Sequence, residues 1–217
     1  MVRRRLTPEQ RRAQIVEAGA GLFADRPYEA VLMEEVAAAA GISRALLYRH
    51  FPAKRDLFVA VYEQAAARLL VDSSFDPELP VPEQISAALD THLDYFEANP
   101  HAVLAANKVL AADPTVQGII AGELGELRRR MLDELGLPEA RRAAAESVIG
   151  AWLTFVRVLT VDWLEHGTLT RADMHAVSTG ALLGALTPLL GDSAVRTPPD
   201  APPSPMPRAS RSPEATR

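Results

Sequence analysis

The sequence contains no cysteine among its 217 residues. This absence excludes disulfide scaffolds, thiolate nucleophiles, zinc sites built on thiolates and iron–sulfur clusters. Long hydrophobic runs are also missing, because the longest chargeless stretch, 176–191, contains Pro188 and is shorter than the roughly 18 residues of a membrane span. The first residues have neither an apolar core nor a small-residue cleavage site. We therefore expect a cytoplasmic protein with no membrane partner.

Charge is distributed unevenly along the chain. Residues 1–55 carry ten Lys and Arg against six Asp and Glu, whereas residues 56–217 carry 13 against 22. Binding to phosphates needs local Lys and Arg, and the overall charge of the chain can still be acidic. The N-terminal part is therefore the candidate for contact with a polyanion, unless the charges are scattered this way by chance.

Helical periodicity dominates the sequence, and no run of alternating β-branched residues indicates a strand. The sequence therefore predicts an all-α protein, in which Gly19 and Gly21 of the first helix suggest a close neighbour. Residues 192–217 hold seven of the 17 prolines and few large apolar residues, which predicts a disordered tail. Capping residues, glycines and prolines predict nine helices, at about 7–25, 33–40, 44–50, 54–71, 83–98, 101–112, 114–135, 139–166 and 171–190.

Two short predicted helices meet at Gly41, which permits a tight backbone turn at low steric cost. This spacing is typical of a helix-turn-helix, in which the first helix braces the second and the second enters the major groove of DNA. The inward-facing positions of the motif are supplied by Val36, Ala37, Ala40, Ile42 and Leu47.

Residues 8 to about 64, and above all 36–58, resemble the DNA-binding domain of TetR/AcrR-type transcriptional repressors; that segment reads VAAAAGISRALLYRHFPAKRDLF. The resemblance implies a helical homodimer that binds a palindromic operator and leaves it when a small molecule enters the C-terminal domain. We therefore predict a three-helix helix-turn-helix DNA-binding domain at 1–58. A helical effector-binding and dimerisation domain follows at 59–191, and the tail occupies 192–217.

The resemblance also assigns DNA contacts to individual residues. The positions that match the family's recognition helix are Ser43, Arg44, Ala45, Tyr48, Arg49 and His50, and Lys54 matches its phosphate-gripping lysine. Arg44 can donate two hydrogen bonds to guanine O6 and N7, whereas Tyr48 and His50 suit phosphate contacts.

The sequence departs from the family pattern at Leu46 and at Leu32. Leu46 replaces a small or polar residue, and if exposed it could contact only a thymine methyl or the neighbouring helix. Leu32 replaces the usual threonine or serine, so its side chain can neither cap the bracing helix nor touch a phosphate. Free backbone N–H groups at that helix start could still do so. Arginines 3–5 fit either a minor-groove arm or a solvated terminus.

The last two predicted helices are too apolar to remain exposed. Apolar residues cover almost every face of 139–166, and small residues recur four apart in 171–190. We predict that these helices form a four-helix bundle with a second copy, although packing within one chain is the alternative. The predicted interface residues are Leu159, Trp163, Gly180, Leu183 and Gly184.

The central helices carry aromatic and polar residues that could line an apolar ligand pocket. Arg157 is the most informative, since a guanidinium within an apolar run needs either an internal carboxylate or an acidic ligand as its partner. The predicted lining residues are His92, Tyr95, Phe96, Asn107, Trp152, Phe155 and Arg157, with Thr154 beside them.

Other function classes have less support. The five histidines show no pair at the metal-binding spacing of a helix, and neither a Gly-rich phosphate loop nor a nucleophile elbow is present. An adaptor with an incidental basic head would not need the spaced turn. We therefore expect a non-enzymatic, ligand-responsive transcription regulator without metal or cofactor. Its expected partners are operator DNA, a second copy and a small, largely apolar effector.

Overall fold

A computed structural model describes residues 6–73 and 78–190; the arginines at 3–5 and the predicted tail at 192–217 lie outside the described residues. The described part contains nine α-helices and no strand, which confirms the all-α prediction. The helices are α1 (Pro8–Asp25), α2 (Met33–Ala39), α3 (Arg44–His50), α4 (Lys54–Asp72), α5 (Val81–Ala98), α6 (Pro100–Leu104), α7 (Pro114–Leu135), α8 (Glu139–His166) and α9 (Arg171–Leu190).

Local capping accounts for where the helices begin. The Thr7 hydroxyl accepts from the backbone N–H of Gln10, and the Gln10 side chain accepts in return from the backbone N–H of Thr7. The Asp113 carboxylate accepts from the N–H groups of Thr115 and Val116 at the start of α7. Eight of the nine predicted helices therefore lie within two residues of their observed bounds.

The exception is the helix predicted at 101–112. It ends at Leu104 and continues as a π-helical turn over Ala105–Val109, closed by a bond from the Leu110 N–H to the Ala105 carbonyl at 2.9 Å. The Gln117 amide then donates to two carbonyls of this region, those of Ala106 and Leu110. Because such a turn depends on a partner helix, local sequence signals did not reveal it.

The N-terminal helices enclose one hydrophobic core, centred on Ile15, Phe23, Val36, Leu47 and Phe58. Buried residues of α6, the π-helical turn and α7 also belong to it: Ala102, Ala105, Ala106, Val116 and Ile120. Close packing occurs at Gly19, where a Cβ would lie 3.2 Å from a methyl carbon of Leu57. The predicted close neighbour of Gly21 is absent, since no described atom lies within 4 Å of a Cβ placed there. Only one of the two glycines therefore serves helix packing.

A second core lies between α5, α7, α8 and α9, and it is centred on Leu93, Ile149, Met174 and Leu182. The helix α4 belongs to both halves, because Phe58 lies in the first core while Leu70 packs against the second. The predicted boundary at residue 58 therefore falls inside one continuous helix, and the domain division stays a prediction.

By length and composition, α8 alone among the described helices could cross a membrane; the mean hydropathy of its most apolar window is 1.4, and 33% of that window is buried. No uninterrupted chargeless run marks this helix in the sequence, because charged residues interrupt α8. The central helix of a globular protein meets the same criterion. Since α8 packs between α7 and α9, its composition has an explanation within the bundle.

We expect the two α1 glycines to respond differently to the same substitution. Gly19→Val forces two methyl groups against Leu57 and should lower the free energy of unfolding by about 1–3 kcal/mol. Gly21→Val, which points into open space, should change it by less than about 0.5 kcal/mol. Urea denaturation of both variants measures the difference. Equal losses would show that Gly19 and Leu57 do not pack closely in solution.

Candidate functional site

The surface of α3 presents the predicted DNA-contacting residues on one exposed face. Gly41 takes a φ of +61°, which lets the chain turn between α2 and α3. The Ser43 hydroxyl caps α3 by accepting from the Leu46 N–H, while Leu47 and Phe51 are buried beneath the helix. The side chains left on the outer face are Ser43, Arg44, Ala45, Tyr48 and Arg49, with His50 and Leu46 half-buried beside them.

The first helix holds this motif in place from behind. The Gln14 amide donates to the carbonyl of Ala40 at 2.9 Å, at the end of α2. The Arg12 guanidinium lies 5.1 Å from the ring centre of Phe51, at the end of α3. Two side chains of α1 therefore fix both sides of the turn.

The guanidinium of Arg44 forms an ion pair with Glu34, a residue of α2. The backbone N–H of Glu34 holds the pKa of the Glu34 carboxyl below its ordinary value, and the Arg44 guanidinium lowers it further. The Glu34 carboxyl is therefore ionised at neutral pH. A base edge would have to compete with this carboxylate for Arg44, a competition that the sequence spacing did not reveal.

The start of α2 is capped by Glu35 and not by Leu32. Leu32 is 55% exposed and its side chain makes no capping bond, as its chemistry requires. The Glu35 carboxylate accepts from the Leu32 N–H at 3.1 Å and forms two bonds of 3.0 Å with Arg26. The Leu32 N–H is therefore already occupied, and a phosphate bound there would have to displace the Glu35 carboxylate, whose charge Arg26 offsets.

The ammonium of Lys54 is bound by backbone carbonyls, whereas the sequence predicted that it binds a phosphate. Its ammonium donates to the carbonyls of Tyr28, Glu29 and Val31 at 2.8, 3.2 and 3.1 Å, and lies 4.6 Å from the Tyr28 ring centre. A lysine has three N–H donors, so these bonds use all of them. Contact with phosphate would require Lys54 to leave the segment that precedes α2.

The next residue, Arg55, joins the N-terminal half to the C-terminal half. Its guanidinium donates to both carboxylate oxygens of Asp113 at 2.7 and 2.8 Å and to the Thr115 hydroxyl at 2.6 Å. The Arg55 guanidinium is the main cause that lowers the pKa of the Asp113 carboxyl to about 2. The backbone N–H groups at the start of α7 lower it further. The start of α4 is therefore tied to the start of α7.

A cavity of about 830 Å³, including the space at its mouth, lies within the C-terminal half. Its lining contains His92, Phe96, Asn107, Trp152 and Arg157 from the predicted set. Sequence reasoning missed further lining residues, notably Tyr62 of α4, Glu123 and Met131 of α7, and Thr160 of α8.

Three predicted residues do not line this cavity. Phe155 is 39% exposed, and Thr154 lies on the outside of α8, where its hydroxyl donates to the Gly150 carbonyl. Tyr95 packs against Phe96, with ring centres 6.0 Å apart, and burial raises its pKa to about 12. The helical period placed these residues near the right helices but could not decide which face the cavity occupies.

Arg157 is partnered by neutral amides. Its Nε donates to Asn107 Oδ1 at 2.5 Å, and one Nη donates to Gln117 Oε1 at 2.9 Å. In the described part of the chain, no carboxylate oxygen lies within 4 Å of this guanidinium. Of the two partners predicted for Arg157, the internal carboxylate is therefore wrong for the described residues.

The outer faces of α8 and α9 leave apolar and small residues exposed. Val158 is 65% exposed and Val177 is 43% exposed, and no described atom beyond the local backbone of α9 lies within 4 Å of a Cβ placed at Gly180 or Gly184. Leu159 and Leu183 are half-buried. Trp163 is instead buried in the core of its own chain, which argues against its predicted place in an interface.

No group of three His, Asp or Glu side chains within the described ranges is arranged to hold a metal ion. The surface of α3 and the cavity are thus the two features with recognisable chemistry. One presents cationic and polar groups to a macromolecule, and the other encloses space for a small molecule.

Comparison with known proteins identifies the N-terminal part. Residues 15–61 match the sequence profile described as "Bacterial regulatory proteins, tetR family". The transcriptional activator FasR of Mycolicibacterium smegmatis is 33% identical over 95 residues, which are 43% of either chain. The nucleoid occlusion factor SlmA of Idiomarina loihiensis is 31% identical over 125 residues, covering 57% of this chain and 59% of that protein. The matches thus span about half the length of these relatives.

A solved structure extends the similarity of fold to the C-terminal half. The tetR-family transcriptional regulator from Streptomyces coelicolor superposes with a TM-score of 0.75 at 22% identity, covering 85% of this chain and 83% of the other. At this identity the likeness concerns the fold. The matched segment, which contains the helix-turn-helix, thus identifies residues 15–61 as similar to the tetR family of bacterial regulatory proteins, and the likeness of fold extends over the C-terminal half.

Proposed function

We propose that the chain is a cytoplasmic transcription regulator that binds operator DNA through α3. The observation that carries this proposal is the exposed face of α3, which is held rigidly by α1 and bears Arg44, Tyr48 and Arg49. A helix of this kind fits the major groove, where arginine reads guanine and neighbouring polar groups contact phosphates. Ser43, Ala45 and His50 flank these residues in the proposed contact.

We propose further that two copies bind a palindromic operator. The exposed small and apolar residues of α8 and α9 form a face that a second copy of the chain would cover, producing a four-helix bundle with two-fold symmetry. Leu159, Gly180, Leu183 and Gly184 remain the proposed contacts, joined by Val158 and Val177. Trp163 is left out because it is buried within its own chain.

The cavity supports regulation by a small, largely apolar effector. Most of its lining is apolar, while a few polar groups are available to orient a ligand. The helix α7 lines the cavity with Glu123 and Leu127, and the residue that caps its start, Asp113, binds Arg55. We propose that a ligand shifts α7, moves α4 through this ion pair and changes the separation of the two α3 helices. In this mechanism the effector releases a repressor.

Repression is the proposed direction of regulation, and it is independent of the binding proposal. One relative is named as an activator and another as a nucleoid occlusion factor, so similarity alone favours neither direction. A reporter gene placed behind a selected operator tests it directly. Deleting the regulator should raise expression, and a fall in expression would identify an activator.

The proposed DNA contact predicts that Arg44→Ala costs about 1–3 kcal/mol at one base pair and relaxes specificity there. Glu34→Gln should have the opposite effect and strengthen binding by about two- to fivefold, because it frees Arg44. Operators selected from random duplexes, followed by fluorescence anisotropy, provide the measurement. Arg68→Ala, which removes an exposed arginine from the middle of the chain, is the matched control. Unchanged sequence preference in Arg44→Ala would refute base reading by this residue.

The proposed dimer predicts that Gly184→Glu produces monomers, because a carboxylate placed in the interface would be buried without a partner. Gly122→Glu introduces the same side chain at an exposed glycine of α7 and should leave the dimer intact. Analytical ultracentrifugation distinguishes the two. A folded Gly184→Glu variant that sediments as a dimer would move the interface away from α9.

The proposed coupling predicts that Asp113→Asn weakens the effect of the effector on DNA binding. Asparagine keeps an oxygen that can cap α7 but loses the charge that holds Arg55. Effector affinity and DNA affinity should each remain near their original values, while the ratio of DNA affinities with and without effector falls toward one. Anisotropy titrations with and without effector measure this ratio. An unchanged ratio would exclude the Arg55–Asp113 pair from the transmission.

A further inference from the structure

The cavity contains polar groups with unused hydrogen-bonding capacity, and their arrangement narrows the chemistry of the effector. We infer that the effector is an amphipathic molecule with a hydrocarbon body and a single anionic head, of the carboxylate class, and that Arg157 and Thr160 hold the head. This inference rests on the proposed effector function and names the class of ligand for that same cavity.

Arg157 carries a positive charge that no carboxylate among the described residues pairs with. Its two hydrogen bonds go to the neutral amides of Asn107 and Gln117, and no described carboxylate oxygen lies within 4 Å. A guanidinium has five N–H donors and stays protonated at any ordinary pH. Three of its donors therefore remain for a ligand, and a carboxylate is the acceptor that matches them in charge and geometry.

The negative charge in the cavity, that of Glu123, has a partner within the chain. The carbonyl of Ala88 accepts a hydrogen bond of 2.8 Å from His92 Nδ1, which leaves Nε2 to face Glu123 Oε1 at 3.7 Å. The Glu123 carboxylate thus faces a ring nitrogen of its own chain. Glu123 therefore has a partner within the chain and does not need a cationic ligand head. The positive charge of Arg157 has no carboxylate partner among the described residues.

Thr160 provides the second, independent observation. It lies one helical turn after Arg157 on the same face of α8, lines the cavity and is 2% exposed. Its Oγ1 has no hydrogen-bond partner among the described residues. A buried hydroxyl without a partner lowers the stability of the fold. An oxygen of a ligand carboxylate would accept a hydrogen bond from it.

The remainder of the lining suits a hydrocarbon body. Trp152 and Leu153 precede Arg157 on α8, and Leu127 and Met131 line the cavity from the second half of α7. The indole N–H of Trp152 already donates to the Ser178 carbonyl at 2.7 Å, so its ring is left to make apolar contact. The charged and apolar parts of the lining thus suit the two parts of one amphipathic molecule.

Isothermal titration calorimetry of the full chain without DNA tests this inference with three probes of equal length: decanoate, decanol and decylamine. We expect decanoate to bind most tightly. Arg157→Gln should weaken decanoate binding by about 10- to 100-fold, the usual value of a charge-assisted bond, and leave decanol binding unchanged. Arg157→Lys, which keeps the charge, should retain more of the decanoate affinity than Arg157→Gln does.

Thr160→Val keeps the shape of the side chain and removes only the hydroxyl. It should weaken decanoate binding without lowering the free energy of unfolding, because the hydroxyl it removes has no partner. Thr179→Val is the matched control, since Thr179 Oγ1 is also buried without a partner but lies outside the cavity lining. Its decanoate affinity should stay unchanged. These two variants decide the matter even if Arg157→Gln does not fold.

Several results would overturn the inference. Decylamine binding more tightly than decanoate would indicate a cationic head, and equal affinities for decanoate and decanol would mean that the charge is not recognised. Failure of all three probes to bind would also contradict it. Arg157-dependent binding of decanoate that leaves DNA affinity unchanged would instead refute the proposed release mechanism while upholding the class of ligand.

Discussion

Two consecutive residues at the start of α4, Lys54 and Arg55, bind the N-terminal half of the chain to the C-terminal half. Lys54 donates to three carbonyls of the segment before α2, and Arg55 binds Asp113 at the start of α7. Both are charge-assisted hydrogen bonds, which are stronger and more directional than bonds between neutral groups. A displacement of α7 would therefore reach the helix-turn-helix through α4, and a rigid helix transmits such a displacement along its axis.

The packing of α4 explains why this connection would move as a unit. Leu57 and Phe58 are fully buried in the N-terminal core, while Leu69 is buried near its other end. Since buried side chains in close-packed cores have few alternative arrangements, α4 cannot shift without the helices around it. The cavity lies beside the middle of α4, where Tyr62 lines it. The position of the cavity relative to α4 is thus as important for the proposed regulation as its chemistry.

In the C-terminal half, the two faces of α8 have different surroundings: the inner face lines the cavity and the outer face is exposed. The inner face of α8 supplies Trp152, Arg157 and Thr160 to the cavity, while its outer face exposes Phe155 and Val158. Apolar residues on both faces explain why α8 has the composition of a membrane-spanning helix. In the proposed dimer the outer face is covered by the second copy, so a ligand bound at the inner face lies one helix diameter away from the dimer contact.

Local signals in the sequence determined the helices and the recognition motif, because caps, prolines and the turn at Gly41 act within a few residues. The exposed residues of α3 followed from the same short-range pattern. Tertiary structure alone decided the partners of side chains that reach across the fold. Arg44 meets Glu34, Lys54 meets three carbonyls, and Arg157 meets two amides, one of which lies in the unforeseen π-helical turn. Helical periodicity fixes the direction of a side chain from its own axis, and it cannot specify which neighbouring helix that side chain will touch.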